Sequence, residues 1–193
     1  MRKLFAIFLL FGSLTSFSQL KEGAKAIDLS LAYNKTDYAS YQVLSNFFIQ
    51  PLVGFAKSEN QLIYVGIRYE KQKYDYSSSI SDRNLTSLVV GFERLFELSP
   101  KIYFSPFLSG TVGLGTQEDS SMSNNLKAFT VSLRPRLHYF INGKWSVVAS
   151  VGAIEYQREI QNNDFVNFAQ EYFSANLNAS NVFFGIRLNL NNE

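Results

Sequence analysis

From Gly23 to Leu190 the chain repeats one pattern, with apolar residues at every second position and small or polar residues between them. Ile27, Leu29, Leu31 and Tyr33 alternate with Ala26, Asp28, Ser30 and Ala32, and Ile63, Val65, Ile67 and Tyr69 with Tyr64, Gly66, Arg68 and Glu70. A period of two is the mark of a strand whose faces meet different surroundings. Eight such stretches are predicted: Gly23–Asn34, Asn46–Ala56, Gln61–Tyr76, one around Ser87–Glu93, Ile102–Thr116, Lys127–Ile141, Trp145–Tyr156 and Leu177–Leu190. Their connections alternate in length. Lys57–Asn60, Leu98–Lys101 and Asn142-Gly143 are short; Lys35–Ser45, Ser77–Arg83, Gln117–Leu126 and Glu159–Asn176 are long and polar. The expected fold is all-β: an eight-stranded antiparallel up-and-down transmembrane β-barrel, with short periplasmic turns and long extracellular loops.

A soluble sandwich or lipocalin-like barrel also alternates, with its apolar face turned inward. Three features favour a bilayer. The polar face mixes Gly and Ser with Asp28, Arg68, Glu70, Glu93, Arg134, Arg136 and Arg187, which suits a crowded lumen. Phe55, Phe92, Phe96, Tyr103, Tyr139, Phe140 and Trp145 flank the short turns, as an interfacial aromatic girdle would. The loop asymmetry holds along the whole chain. Pro51, Pro106 and Pro135 run against the scheme, because a closed barrel has no free edge where a missing N–H is harmless. Bulges are one way to absorb them.

The ends and the composition narrow the class. Met1-Arg2-Lys3, an apolar run from Leu4 to Leu14 and Ser16-Phe17-Ser18 predict a secretory signal over residues 1–18 and a barrel domain over 19–193. That run is too short for a membrane-spanning helix. Zero cysteines exclude disulfides, thiolate chemistry and lipoprotein anchoring, and a net charge of +2 without a basic cluster argues against nucleic acid.

The segment Pro135-Arg-Leu-His-Tyr139-Phe-Ile-Asn-Gly-Lys, followed by Ser146-Val-Val-Ala-Ser-Val-Gly152, resembles the proline, aromatic, turn and apolar-Gly pattern of small outer-membrane β-barrel domain proteins. Pro51-Leu-Val-Gly-Phe55 with Tyr64-Val-Gly66 is similar to the same unit, as is the closing Phe184-Gly-Ile-Arg-Leu-Asn-Leu190. The size matches the OmpX and OmpA transmembrane barrels. The resemblance implies residence in a Gram-negative cell outer membrane, among lipid and lipopolysaccharide, after delivery by the outer-membrane assembly machinery. The family's closing strand usually ends in an aromatic residue; here Leu190 and Asn191-Asn192-Glu193 stand instead.

An eight-stranded barrel is just wide enough for side chains to fill it, so the expected lumen is plugged rather than porin-like and open. The charges Asp28, Arg68, Glu70, Glu93, Arg134, Arg136 and Arg187 read as a structural network, with Asp28–Arg187 and Arg68–Glu93 as expected pairs. His138, the single histidine, points inward near a short turn and has no His-x-Ser spacing, so no catalytic residue, cofactor or metal is expected. A lipid-A-modifying enzyme and a small passive channel stand as alternatives. The loop aromatics Tyr38, Tyr41, Tyr74, Tyr76, Phe165, Phe168 and Tyr172 are candidate contacts for an extracellular ligand or surface partner of a monomer.

Overall fold

The computed structural model describes residues 20, 22–38, 42–76, 79–119, 122–162, 167–176 and 182–190. The expected signal, residues 1–18, lies outside them. Eleven strands follow one another: β1 (Lys25–Tyr38), β2 (Gln42–Ser58), β3 (Gln61–Tyr76), β4 (Ser79–Arg94), β5 (Phe96–Ser99), β6 (Ile102–Asp119), β7 (Met122–Phe140), β8 (Trp145–Val151), β9 (Ala153–Asn162), β10 (Asn167–Asn176) and β11 (Val182–Leu190). Every pairing among them is antiparallel. The ring β1-β2-β3-β4-β6-β7-β8-β11 then closes where β11 meets β1, with Lys25 opposite Leu190 and Asp28 opposite Arg187. This is a closed eight-stranded antiparallel barrel; β5, β9 and β10 continue three of its staves.

Several strands outrun the apolar alternation. The expected loops Lys35–Ser45, Ser77–Arg83, Gln117–Leu126 and Glu159–Asn176 are largely strand, with Asp119 opposite Met122 and Gln161 opposite Phe168. Beyond the apolar belt both faces carry polar residues, so the period of two disappears from the sequence while the backbone ladder continues.

Each strand proline sits at a gap in a ladder. Pairing of β2 with β3 skips Gln50 and Pro51 and resumes in unchanged register at Leu52 opposite Gly66. Pairing of β6 with β4 and β5 skips Ser105 and Pro106, opposite Leu95 and Arg94, where β4 gives way to β5. Pro135 faces the break between β8 and β9, where Leu133 pairs with Ile154 but Arg136 pairs with Ser150. One extra residue is taken up there, on Gly152, whose φ of 67° L-residues rarely adopt. Only Pro135 therefore needs a bulge.

The Gly152 bulge also switches faces. Before it Ser146, Val148 and Ser150 point inward; after it Glu155, Gln157 and Glu159 do. The Asn142-Gly143 turn differs from the two-residue type its sequence suggests, which needs left-handed backbone. Only Gly23 and Gly152 have positive φ among the described glycines. The Asn142 side chain makes this turn instead, its Oδ1 accepting from the N–H of Lys144 at 2.9 Å and of Trp145 at 2.8 Å.

Placing a Cβ at Gly152 is expected to cost about 1–2 kcal/mol, the penalty of left-handed backbone. Gly143→Ala, with open space at its Cβ, should stay within about 0.5 kcal/mol of the parent. Denaturant midpoints of the two variants in detergent micelles check this pair.

Candidate functional site

The lumen is the site that the fold builds. Its base is an apolar plug of Leu20, Ala24, Ala56, Leu62, Leu95 and Phe107 at the short-turn end. Rings fill this end because glycines face them. A Cβ on Gly54 would lie 2.6 Å from the Tyr64 ring, and one on Gly91 would lie 2.5 Å from Phe107. Tyr103 and Phe140, expected in the aromatic girdle, point inward and pack edge to face at 5.0 Å between ring centres. Phe55, Phe92, Phe96 and Trp145 do face outward.

Above the plug, charged side chains stand in three tiers, each with balanced charge. The lowest joins Asp28, Glu93, Arg136 and Arg187. Arg187 Nη2 lies 3.2 Å from Asp28 Oδ2 and 2.6 Å from Glu93 Oε2, and Arg136 Nη1 lies 3.5 and 3.6 Å from the two carboxylates. Tyr64 Oη and Ser105 Oγ each donate to Glu93 at 2.8 Å. The middle tier pairs Arg68 with Glu70 at 2.8 Å and Arg134 with Glu155 at 3.1 Å. The upper tier is the Arg83–Glu159 pair. Guanidiniums of the lower two tiers also stack on rings: Arg136 on Phe107, Arg187 on Tyr64, Arg68 on Phe48 and Arg134 on Phe183.

All seven charges singled out from the sequence point into the lumen, and the structure brings Asp28 and Arg187 together. It does not pair Arg68 with Glu93. Arg68 is level with Ser87 and Glu93 with Leu62, six residues or about 20 Å along the strand. Glu155, Glu159 and Arg83 were missed because two lay in expected loops and the third beyond the Gly152 parity switch. Of the expected contact aromatics, Tyr38, Tyr74, Tyr76, Phe168 and Tyr172 stand on strands, while Tyr41 and Phe165 lie outside the described residues. Tyr74 and Tyr172 line an open mouth of about 840 Å³ above the upper tier.

His138 has gained a serine and an acid that sequence spacing hid. Ser105 Oγ stands 2.7 Å from His138 Nε2, and Glu93 Oε1 stands 3.0 Å from the same atom. A hydrolytic relay needs the acid on Nδ1 so that Nε2 can take the serine proton. Here serine and acid crowd one nitrogen, Nδ1 has no partner among the described residues, and the group is fully buried beside the plug. This arrangement binds Glu93 rather than activating Ser105. Among the described residues, no group of three or more His, Cys, Asp or Glu could hold a metal ion.

No protein-family profile matches the chain, and no curated protein does. Among solved structures it is similar to a de novo designed transmembrane β-barrel, with a TM-score of 0.40 and 16% identity over 89% of this chain and 99% of that one. It is also similar to the translocator domain of the autotransporter NalP from Neisseria meningitidis, with a TM-score of 0.46 and 9% identity. That match covers 90% of this chain and 63% of the translocator chain.

Removing Glu93 leaves Asp28 alone against two buried arginines. Glu93→Ala is therefore expected to cost about 3–5 kcal/mol. Arg158→Ala, which breaks the half-exposed 3.7 Å pair with Glu171, should cost less than about 1 kcal/mol. The temperature at which each purified variant loses its folded mobility on a gel ranks the two losses.

Proposed function

We propose that this chain is an integral outer-membrane β-barrel of the Gram-negative type, of the OmpX and OmpA size class, with a structural or surface-interaction role and no open pore. The observation that carries the reading is the barrel's inside-out burial. Leu88, Val90, Val112, Leu114, Phe184 and Ile186 are more than half exposed, while Asp28, Glu93, His138 and Arg187 are fully buried. Water-soluble barrels have the reverse order. Apolar runs such as Phe47–Phe55 and Ile102–Leu114 span roughly 27–40 Å along the strand, or about 20–30 Å along the axis at a tilt near 40°. That brackets the outward apolar band of about 25 Å expected of such barrels. Ring closure satisfies the backbone without solvent, the condition for crossing lipid.

The plug and the paired charges support a closed lumen, and the crowding of Ser105 and Glu93 on one nitrogen of His138 supports a non-enzymatic role over lipid modification. The expected surroundings are outer-membrane lipid and lipopolysaccharide, with a surface partner engaged from the strand ends of a monomer.

Val90→Arg on the outer face tests the orientation. In a bilayer the charge at mid-belt costs about 2–4 kcal/mol; on a water-facing strand it costs almost nothing. Reduced membrane insertion of V90R in folding assays with lipid vesicles is the expected result. Full recovery of the parent chain as a soluble monomer without detergent would overturn the membrane reading. In planar bilayers the parent is expected to show no steady conductance, and reproducible single-channel steps would contradict the plug.

A further inference from the structure

We propose that the mouth of the barrel is a binding site for a neutral, polyhydroxylated ligand, an uncharged oligosaccharide. The inference deepens the surface-interaction reading and takes from it only that this end opens outward. Five of the chain's nine glutamines line the mouth: Gln72 from β3, Gln117 from β6, Gln157 and Gln161 from β9, and Gln170 from β10. Three of the five belong to the β9–β10 hairpin, and barrel closure brings Gln72 and Gln117 to the same opening from distant parts of the chain.

An amide presents a donor and an acceptor side by side, which matches the paired hydroxyls of a sugar ring. The mouth's buried charges are spent on each other. Arg83 and Glu159 form the floor as an ion pair, with Arg83 Nη1 donating to Gln72 at 2.8 Å and Gln157 donating to Glu159. The amides are held in place: Gln161 donates to Gln117 at 3.1 Å, and Tyr74 donates to Gln72 at 3.2 Å. At the rim, Gln170 and Tyr172 make no side-chain hydrogen bond to other described residues. Tyr172 is 47% exposed and lines the opening. Partial burial, and then the Glu159 carboxylate, raise its phenol above the ordinary range, so it stays a neutral donor.

Size and polarity agree with this ligand class. The mouth volume of about 840 Å³ falls inside the range of about 300–1,000 Å³ typical of small-ligand sites. A lipid tail would find amides where it needs apolar wall. A free anion would meet Asp119 and Glu159 against one arginine.

The test is saturation-transfer NMR on the purified full chain in detergent micelles, with maltotriose, chitotriose and raffinose as probes and inorganic phosphate as the charged control. Saturable transfer to at least one trisaccharide is expected below about 10 mM, the weak end of specific binding. Its affinity should change less than twofold as salt rises from about 0.05 to 0.5 M, because a neutral ligand brings no charge to be screened. Tyr172→Ala and Gln170→Ala should each weaken it about fivefold or more, with the heat-dependent gel shift unchanged. The proposal fails if no trisaccharide responds at that concentration. It also fails if both variants bind like the parent, or if phosphate alone binds and is lost with salt. Micelle binding does not depend on the vesicle-insertion or planar-bilayer result, so the two readings can fail separately.

Discussion

Glu93 holds this barrel's interior together. Its carboxylate accepts from Arg187, Tyr64 and Ser105, contacts His138 and faces Arg136, reaching groups on four other strands. One of them, Arg187, is opposite Asp28 at the seam where the last strand meets the first. A charge buried this deeply is costly unless its partners are fixed in place. The register that closes the ring is the one that supplies those partners. Backbone closure and charge compensation therefore specify each other, and a slip of one residue would turn Arg187 outward.

The tiers extend the same constraint upward. Two cations face two anions at the base and again in the middle, and one pair remains at the top. No tier leaves a net charge for its neighbours to neutralise, so each can be satisfied locally. The aromatic rings under the arginines have a second use, since they fill volume that eight strands would otherwise leave to water. Large side chains fit only because Gly54 and Gly91 leave room for Tyr64 and Phe107. The plug and the ion pairs are one packing solution.

The sequence revealed the strands well wherever lipid and lumen impose opposite demands. Val65 and Tyr64, or Val90 and Gly91, could not exchange places, and the period of two records that. It failed where the demands become equal. Around Gln117 and Gln161 both faces are wet, so polar strands look like loops. It failed again at Gly152, where one inserted residue reverses parity and disguises Glu155 as outward-facing. Tyr103 and Phe140 were misassigned by their nearness to turns, although their parity with Ser105 and His138 already placed them inside. Long-range partners such as Ser105 and His138 were invisible because pairing across strands leaves no local spacing.

The two ends of the lumen are built on different chemistry, and that difference bears on function. At the short-turn end the charged groups pair with one another and are sealed under Leu20 and Leu95, out of reach of a solute. At the far end the strands continue past the apolar belt, carrying amides, hydroxyls and tyrosines on backbone that is still paired in a ladder. Extending strands instead of loops fixes those groups in position before any ligand arrives, which lowers the ordering cost of binding. The proposed recognition at the surface rests on that polar rim, and the proposed closed lumen rests on the plugged end.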